Sequence, residues 1–247
     1  NIRVFDCGEQ LVKVAWDDSR PDVSCDFGVL EYSLLEYTAP YGPQYYIGGI
    51  DCHAAQGWVV RGNTFRNIRS PSDSTAEHAV HFWSWARDTV VEGNVIINCD
   101  RGIGFGLGER GHENGLIANN VIIHGGQGQF ADVGIGLENA RNATVVHNTI
   151  LMRQGYPNAI EYRFGTTAFI ANNLANRAIA QRDGGQADLA GNITQAQEGW
   201  FVNPAAADLH LRPGSPPVDS GVPMGMALTD IDGQQRGQAP DVGADEL

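Results

Sequence analysis

The sequence predicts an all-β chain wound into a parallel β-solenoid of about seven coils. Three observations carry that prediction: a phrase that recurs along the chain around a fixed Asn, a second phrase that precedes it at a nearly constant interval, and a composition that leaves helices little to use.

The first phrase joins two β-branched or aliphatic residues, two variable residues, an Asn and a further apolar pair. It reads Val59 and Val60 before Asn63, Val90 and Val91 before Asn94, Leu116 and Ile117 before Asn120, Thr144 and Val145 before Asn148, Phe169 and Ile170 before Asn173, and more weakly before Asn192. Val29 and Leu30 before Ser33 make an earlier copy. Units of about 19 to 31 residues without a 3.6-residue period fit stacked β coils and not helical repeats. Stacked at one corner, the Asn amides can bond one another and the turn backbone, satisfying groups that would otherwise be buried unpaired.

The second phrase is a small residue, an apolar residue and then alternation. Its copies are Gly49-Ile50-Asp51-Cys52-His53, Ala79-Val80-His81-Phe82-Trp83, Gly102-Ile103-Gly104-Phe105-Gly106, Gly134-Ile135-Gly136-Leu137-Glu138, Ala159-Ile160-Glu161-Tyr162-Arg163 and Ala178-Ile179-Ala180-Gln181-Arg182. Alternation with period 2 marks strands, and most copies stand about 12 residues ahead of their Asn. Val12-Lys13-Val14 reads as an earlier strand of the same sheet. The organisation expected is an N-terminal cap or first partial coil over 1–27, the solenoid over 28–196, and an irregular C-terminal cap over 197–247, since open solenoid ends expose strand edges.

Composition supports the same fold. With 31 glycines, 18% charged residues and Lys13 as the one lysine among 16 basic residues, the chain lacks the Glu- and Lys-covered faces of amphipathic helices. Its 247 residues, 42% of them hydrophobic, fill a sizeable core. The formal charge of −13 repels phosphate backbones and anionic membranes, so nucleic acid is not an expected partner. No stretch approaches the roughly 18 apolar residues of a spanning helix, and a soluble monomer is expected. The start at Asn1, in mid-pattern, is that expected of a trimmed product. Cys7 and Cys25 lie in polar turns and are open to a disulfide or to free thiols. Cys52 and Cys99 fall in apolar strand patterns and read as buried free thiols, and no spacing matches a zinc site.

The phrases VVRGNTF at 59–65, VVEGNVI at 90–96 and VVHNTI at 145–150 resemble the right-handed parallel β-helix repeats of the pectate-lyase-like superfamily, over roughly residues 28 to 196. The stretches DLHLRPGSPPVDSG and DIDGQQRGQAPDVGADE are similar to the closing segment of secreted bacterial β-helix proteins of that group. The resemblance implies right-handed winding and a secreted, periplasmic or cell-surface location. It also implies a polysaccharide lyase, hydrolase or epimerase acting in a groove on one parallel sheet. Such repeats specify a fold better than a reaction.

With Ile50, Val80, Ile103, Ile135, Ile160 and Ile179 placed inward, the residues on either side point outward. One column runs Lys13, Asp51, His81, Gly104, Gly136, Glu161, Ala180; the other runs Ala15, His53, Trp83, Gly106, Glu138, Arg163, Arg182. Coils about 4.8 Å apart let neighbours in a column touch or share a ligand. Glycine inside a strand often marks close approach by a ligand or another backbone, so Gly104, Gly106 and Gly136 read as the floor of a groove. Trp83 is then a sugar platform, Arg101 part of a wall, and Arg182 and Lys13 substrate-binding groups. The glycines alternate within a strand and open no helix, which excludes a nucleotide loop. Trp85 is expected to pack, and His112 to stand in a flanking turn. The competing reading is a solvated sheet in which Glu161 pairs with Arg182 and Glu138 with Arg163.

For β-elimination on a uronate polymer the groove must neutralise a carboxylate, remove the C5 proton and protonate the departing oxygen. Arg163 and Arg182 meet the first need. His81 or His53 is the candidate base, and Lys13 an alternative if its pKa is depressed. Asp51, Glu138 and Glu161 are the candidate ligands for Ca2+, a hard ion that lyases of this superfamily employ. The same groups suit C5 epimerisation. A hydrolase would use Glu138 and Glu161 as its carboxylate pair, and a non-catalytic glycan-binding or surface module would use the same groove. The residues leave these alternatives open.

Overall fold

Three short apolar stretches per repeat, parted by three tight corners, give each coil one strand in each of three parallel sheets. The computed structural model describes residues 1–17, 19–20, 22–124 and 131–247, and its three main sheets have seven strands each. Sheet one holds Arg3–Phe5, Leu34–Glu36, Thr64–Arg66, Val95–Ile97, Val121–His124, Thr149–Met152 and Leu174–Ala175. Sheet two holds Val12–Val14, Ile50–His53, His78–Trp83, Arg101–Phe105, Ile135–Glu138, Asn158–Arg163 and Ala178–Arg182. Sheet three holds Val29–Glu31, Val59–Arg61, Val90–Glu92, Leu116–Ala118, Ala143–Val146, Thr167–Ala171 and Gln186–Ala190. The chain visits them in the order one, two, three, coil after coil, as a right-handed parallel β-helix. A short fourth sheet of Ala86–Arg87, His112–Glu113 and Ala140–Arg141 lines the corner after sheet two in the middle coils.

The inward ladder of sheet two is in register across all the strands it joins, and Ile50, Val80, Ile103, Ile135 and Ile160 are fully buried. Ile179, in the last coil, is only partly buried. The small residue that opens each phrase is explained by the next coil's backbone: a Cβ on Gly102 would lie 2.1 Å from the carbonyl oxygen of Gly134.

The recurrent asparagines form one continuous ladder between sheets three and one. The side-chain amide of Asn63 donates to Asn94 Oδ1 at 3.0 Å, Asn94 to Asn120 at 3.0 Å, Asn120 to Asn148 at 2.9 Å, Asn148 to Asn173 at 2.9 Å, and Asn173 to Asn192 at 2.9 Å. Each Oδ1 also accepts the backbone N–H of the preceding ladder residue, beginning with Ser33 on Asn63. The residue before each rung is in left-handed conformation: Gly62, Gly93, Asn119, His147, Asn172 and Gly191 all have φ between 53° and 61°. Glycine or asparagine adopts this region at little cost.

Beyond residue 196 the chain leaves the repeats of the solenoid. It runs back along its flank. Phe201, Leu209, Leu211, Val242 and Ala244 cover the outward apolar side chains of sheet one, Val121, Ile123, Leu151 and Leu174. Corner side chains hold it in place: Asn172 exchanges two hydrogen bonds with the backbone of Val222 at 2.8 and 2.9 Å. Asn119 donates to Thr229 O at 2.8 Å and accepts from Arg236 at 2.9 Å. Ala244 N–H donates to Thr149 Oγ1 at 2.9 Å. Asp230 accepts the N–H groups of Asp232, Gln234 and Glu246 and so organises a turn. All four cysteines are free thiols, Cys7 and Cys25 included.

His210 clamps this flank segment, with Nδ1 2.5 Å from Asp208 and Nε2 2.7 Å from Asp232. Burial alone would lower its pKa, but the two carboxylates outweigh it and raise the value to about 9. A raised imidazole stabilises the fold fully below its unfolded pKa of about 6.5, and the contribution is lost as pH climbs through about 9. The melting temperature is therefore expected to fall across that window in a buffer series, with His210→Gln flattening the slope; an unchanged slope in the variant would remove His210 from the account.

Candidate functional site

Strand register brings the two outward columns of sheet two together. Lys13, Asp51, His81, Gly104, Gly136, Glu161 and Ala180 lie side by side on successive strands, as do His53 with Trp83 and Glu138 with Arg163 and Arg182. Their side chains nevertheless divide into two groups with different surroundings.

Toward the N-terminal end the polar groups gather around Asp51. Asp51 takes the Lys13 ammonium, accepts Trp83 Nε1 at 2.7 Å and stands 3.5 Å from His53 Nε2 and 4.0 Å from His81 Nδ1. Burial would raise its pKa, but bonds to His53, Lys13 and Trp83 and the nearby His81 hold it well below the usual carboxylate range. The same pair outweighs burial at Lys13 and raises its pKa, so Lys13 is a locked cation and not the depressed amine a base requires. His81 is 2% exposed, and burial outweighs Asp51 to bring its pKa to about 4. Its Nε2 lies 3.2 Å from the carbonyl oxygen of Gly106. Trp83 is sandwiched: His81 stacks on it at 5.5 Å, His53 packs at 4.4 Å, and the Arg110 guanidinium lies 5.7 Å from the ring centre. Buried His81 presents no base to solvent-borne substrate, and Trp83 offers no open platform.

Toward the C-terminal end an open cleft of about 110 Å3 crosses sheet two, lined by Arg101, Glu138, Tyr156, Glu161, Arg163 and Arg182 around Gly106 and Gly136. Arg101 bonds Asp132 at 3.0 Å. Arg163 lies 3.4 Å from Glu138 and 2.6 Å from Asp183. Arg182 bonds Glu161 at 2.8 Å and the Tyr156 hydroxyl at 3.2 Å. The cross-strand ion pairs of the solvated-sheet reading are thus both present. They leave guanidinium N–H groups over, since each guanidinium carries five donors. Glu161 accepts Tyr156 at 2.5 Å and Asn158 at 2.6 Å; burial would raise its pKa, but these bonds and Arg182 lower it. An ionised, triply held Glu161 is a poor general acid, which weighs against the Glu138 and Glu161 hydrolase pair.

Several expectations need correction. Asp51, Glu138 and Glu161 do not converge on one calcium: Asp51 is three strands from Glu138, about 14 Å at sheet spacing, and each carboxylate has its own cation. Gly104 is not groove floor. The His78 ring covers it, and a Cβ there would lie 2.7 Å from His78 Nε2. Gly106 is fixed by backbone, with φ of 77° and a Cβ position 1.8 Å from the Glu138 carbonyl oxygen. His112, expected in a flanking turn, lies in the strand His112–Glu113, where its ring stacks on Phe105 at 4.0 Å inside the coil and burial brings its pKa to about 3. Trp85, expected to pack, is 56% exposed and lines a second cleft of about 200 Å3 with Arg87, Glu109, Glu113 and Arg141.

Sequence reasoning passed over Glu77, His78 and Tyr156. Glu77 and His78 end a polar stretch that reads as loop, yet the Glu77-His78-x-x-His81 spacing was visible. Tyr156 comes from a turn outside either repeated phrase.

The sequence pattern of a family described as "Periplasmic copper-binding protein (NosD)" matches residues 44–193. The chain belongs to the NosD family. The matched residues include every cleft-lining arginine, His78 and His81, while Lys13 lies outside them. Among curated proteins none matches this NosD-family chain. The crystal structure of pectate lyase Pel9A superposes with a TM-score of 0.54 at 16% identity, covering 99% of this chain and 69% of that one. That likeness establishes the shared right-handed β-helix. No helix among the described residues is long and apolar enough to cross a membrane.

Proposed function

We propose that this protein binds an acidic polysaccharide in the cleft of sheet two and works outside the cytoplasm, as the periplasmic description of its family suggests. The observation that carries this reading is the convergence of Arg101, Arg163 and Arg182 on one open cleft. Guanidinium forks match carboxylates in geometry, and polar neighbours such as Tyr156 suit sugar hydroxyls. Binding is favoured over lyase or epimerase chemistry because burial withholds His81 from substrate, Asp51 locks Lys13, and burial with Glu161 raises the Tyr156 hydroxyl's pKa.

Oligogalacturonate and oligoalginate should bind in calorimetry while a neutral glucan does not. Arg163→Ala and Arg182→Ala should each weaken binding by about 10- to 100-fold, the worth of a charge-assisted hydrogen-bonded pair. Equal binding of neutral glucan, or unchanged affinity in both variants, would defeat the proposal. Appearance of ultraviolet absorbance from an unsaturated product would instead establish elimination.

A further inference from the structure

We propose that Glu77, His78 and His81 form a site for a borderline divalent cation such as Zn2+ or Cu2+, reached from the arginine-lined cleft past His78. The donor atoms of the three residues lie within 4.8 Å of one another. Ligands around a tetrahedral ion with 2.0–2.1 Å bonds stand about 3.4 Å apart, so modest side-chain rotation closes the set.

Hydrogen bonding leaves this cluster short of a partner. His81 Nε2 faces the Gly106 carbonyl oxygen at 3.2 Å and so must carry the proton. The lone pair of Nδ1 then points at two carboxylates, Glu77 Oε2 at 3.9 Å and Asp51 Oδ1 at 4.0 Å. These separations are too long for hydrogen bonds, and a lone pair facing two acceptors is unfavourable until a cation intervenes. His78 is 8% exposed, and its Nδ1 has no hydrogen-bond partner among the described residues. A buried imidazole nitrogen normally has one.

The surroundings have the character of a supporting shell. The Gly106 carbonyl fixes the His81 tautomer in the way outer partners of metal-bound histidines do. Gly104 supplies the space the His78 ring occupies. Both histidines belong to the strand His78–Trp83, a rigid element. His78 also lines the cleft, which gives an ion an entry path and leaves room for a fourth ligand. Two imidazoles and one carboxylate suit Zn2+ or Cu2+, whereas Ca2+ asks for six to eight oxygens. The other converging donor set, His210, Asp232 and Asp245, differs in that both His210 nitrogens are already engaged by Asp208 and Asp232.

Zn2+ and, separately, Cu2+ titrated into the chelator-treated full chain should bind at one equivalent in calorimetry. His78→Ala and His81→Ala should each cost about 100-fold or more in affinity, above the range for outer-shell changes, while His210→Gln leaves the isotherm unchanged. Imidazole nitrogen NMR of the unsubstituted chain gives a readout independent of variant folding: His78 and His81 signals should shift by one equivalent of Zn2+ and those of His210 should not. No binding, loss of binding in His210→Gln, or shifts confined to His210 would overturn the site. Glycan binding by the arginines is measured without metal, so the two proposals fail separately.

Discussion

Replacing Asn120 by Ala is expected to lower stability by about 2–5 kcal/mol, because it orphans several buried groups at once. Asn120 Oδ1 accepts both the backbone N–H and the side-chain amide of Asn94 at 3.0 Å, and its own amide donates to Val91 O at 2.9 Å and to Asn148. Asn94, Asn120 and Asn148 are fully buried, so water cannot replace what is lost. The effect is to be read from denaturant unfolding followed by tryptophan fluorescence. Asn192→Ala, at the half-buried last rung, should cost less; equal losses at both positions would mean that the ladder contributes through each corner alone and not through its neighbours.

Arg236→Ala is expected to cost about 3–5 kcal/mol, the range for removing one member of a buried ion pair. The Arg236 side chain is 4% exposed; it bonds Glu246 at 3.2 Å, Asn119 Oδ1 at 2.9 Å and Gly243 O at 2.9 Å. Without it Glu246 keeps, among the described residues, the N–H groups of Gly237 and Asp241 as its donors and loses its cation. The flank segment should loosen and expose the apolar face of sheet one. Protease cleavage within 212–240 should accelerate well ahead of global unfolding. Cleavage at the rate of the unsubstituted chain would show that apolar contacts alone keep the segment seated.

The fold was legible because a repeat writes the same physics many times. The inward isoleucine and valine ladder set the register of sheet two, and that register in turn placed Glu138 beside Arg163 and Glu161 two strands' width from Gly104. The accessibility of those side chains was not legible. A period-2 pattern says which way a side chain leaves the sheet and nothing of what lies over it: Asp51, His81 and Glu161 all point outward and are all buried. Their covers are not written in the repeated phrase: Lys13 comes from the first strand of the sheet, Glu77 and His78 from where a polar stretch enters the strand His78–Trp83, and Tyr156 from a turn. Gly104 shows the same limit, since the ring it makes room for belongs to the chain itself.

The left-handed corner column has a consequence for how a periodic body keeps one unique arrangement. Successive coils are nearly interchangeable, so a returning segment has several equivalent berths one rung apart. Translational symmetry is broken by the corner residues: glycine at positions 62 and 93 offers no side chain, whereas Asn119 and Asn172 each hold the segment by specific bonds. A slip of one rung toward the start would set Thr229 and Arg236 against a bare glycine and strand both contacts. The solenoid thus carries an address code along one edge, and substituting Asn at position 93 would write a second, competing berth.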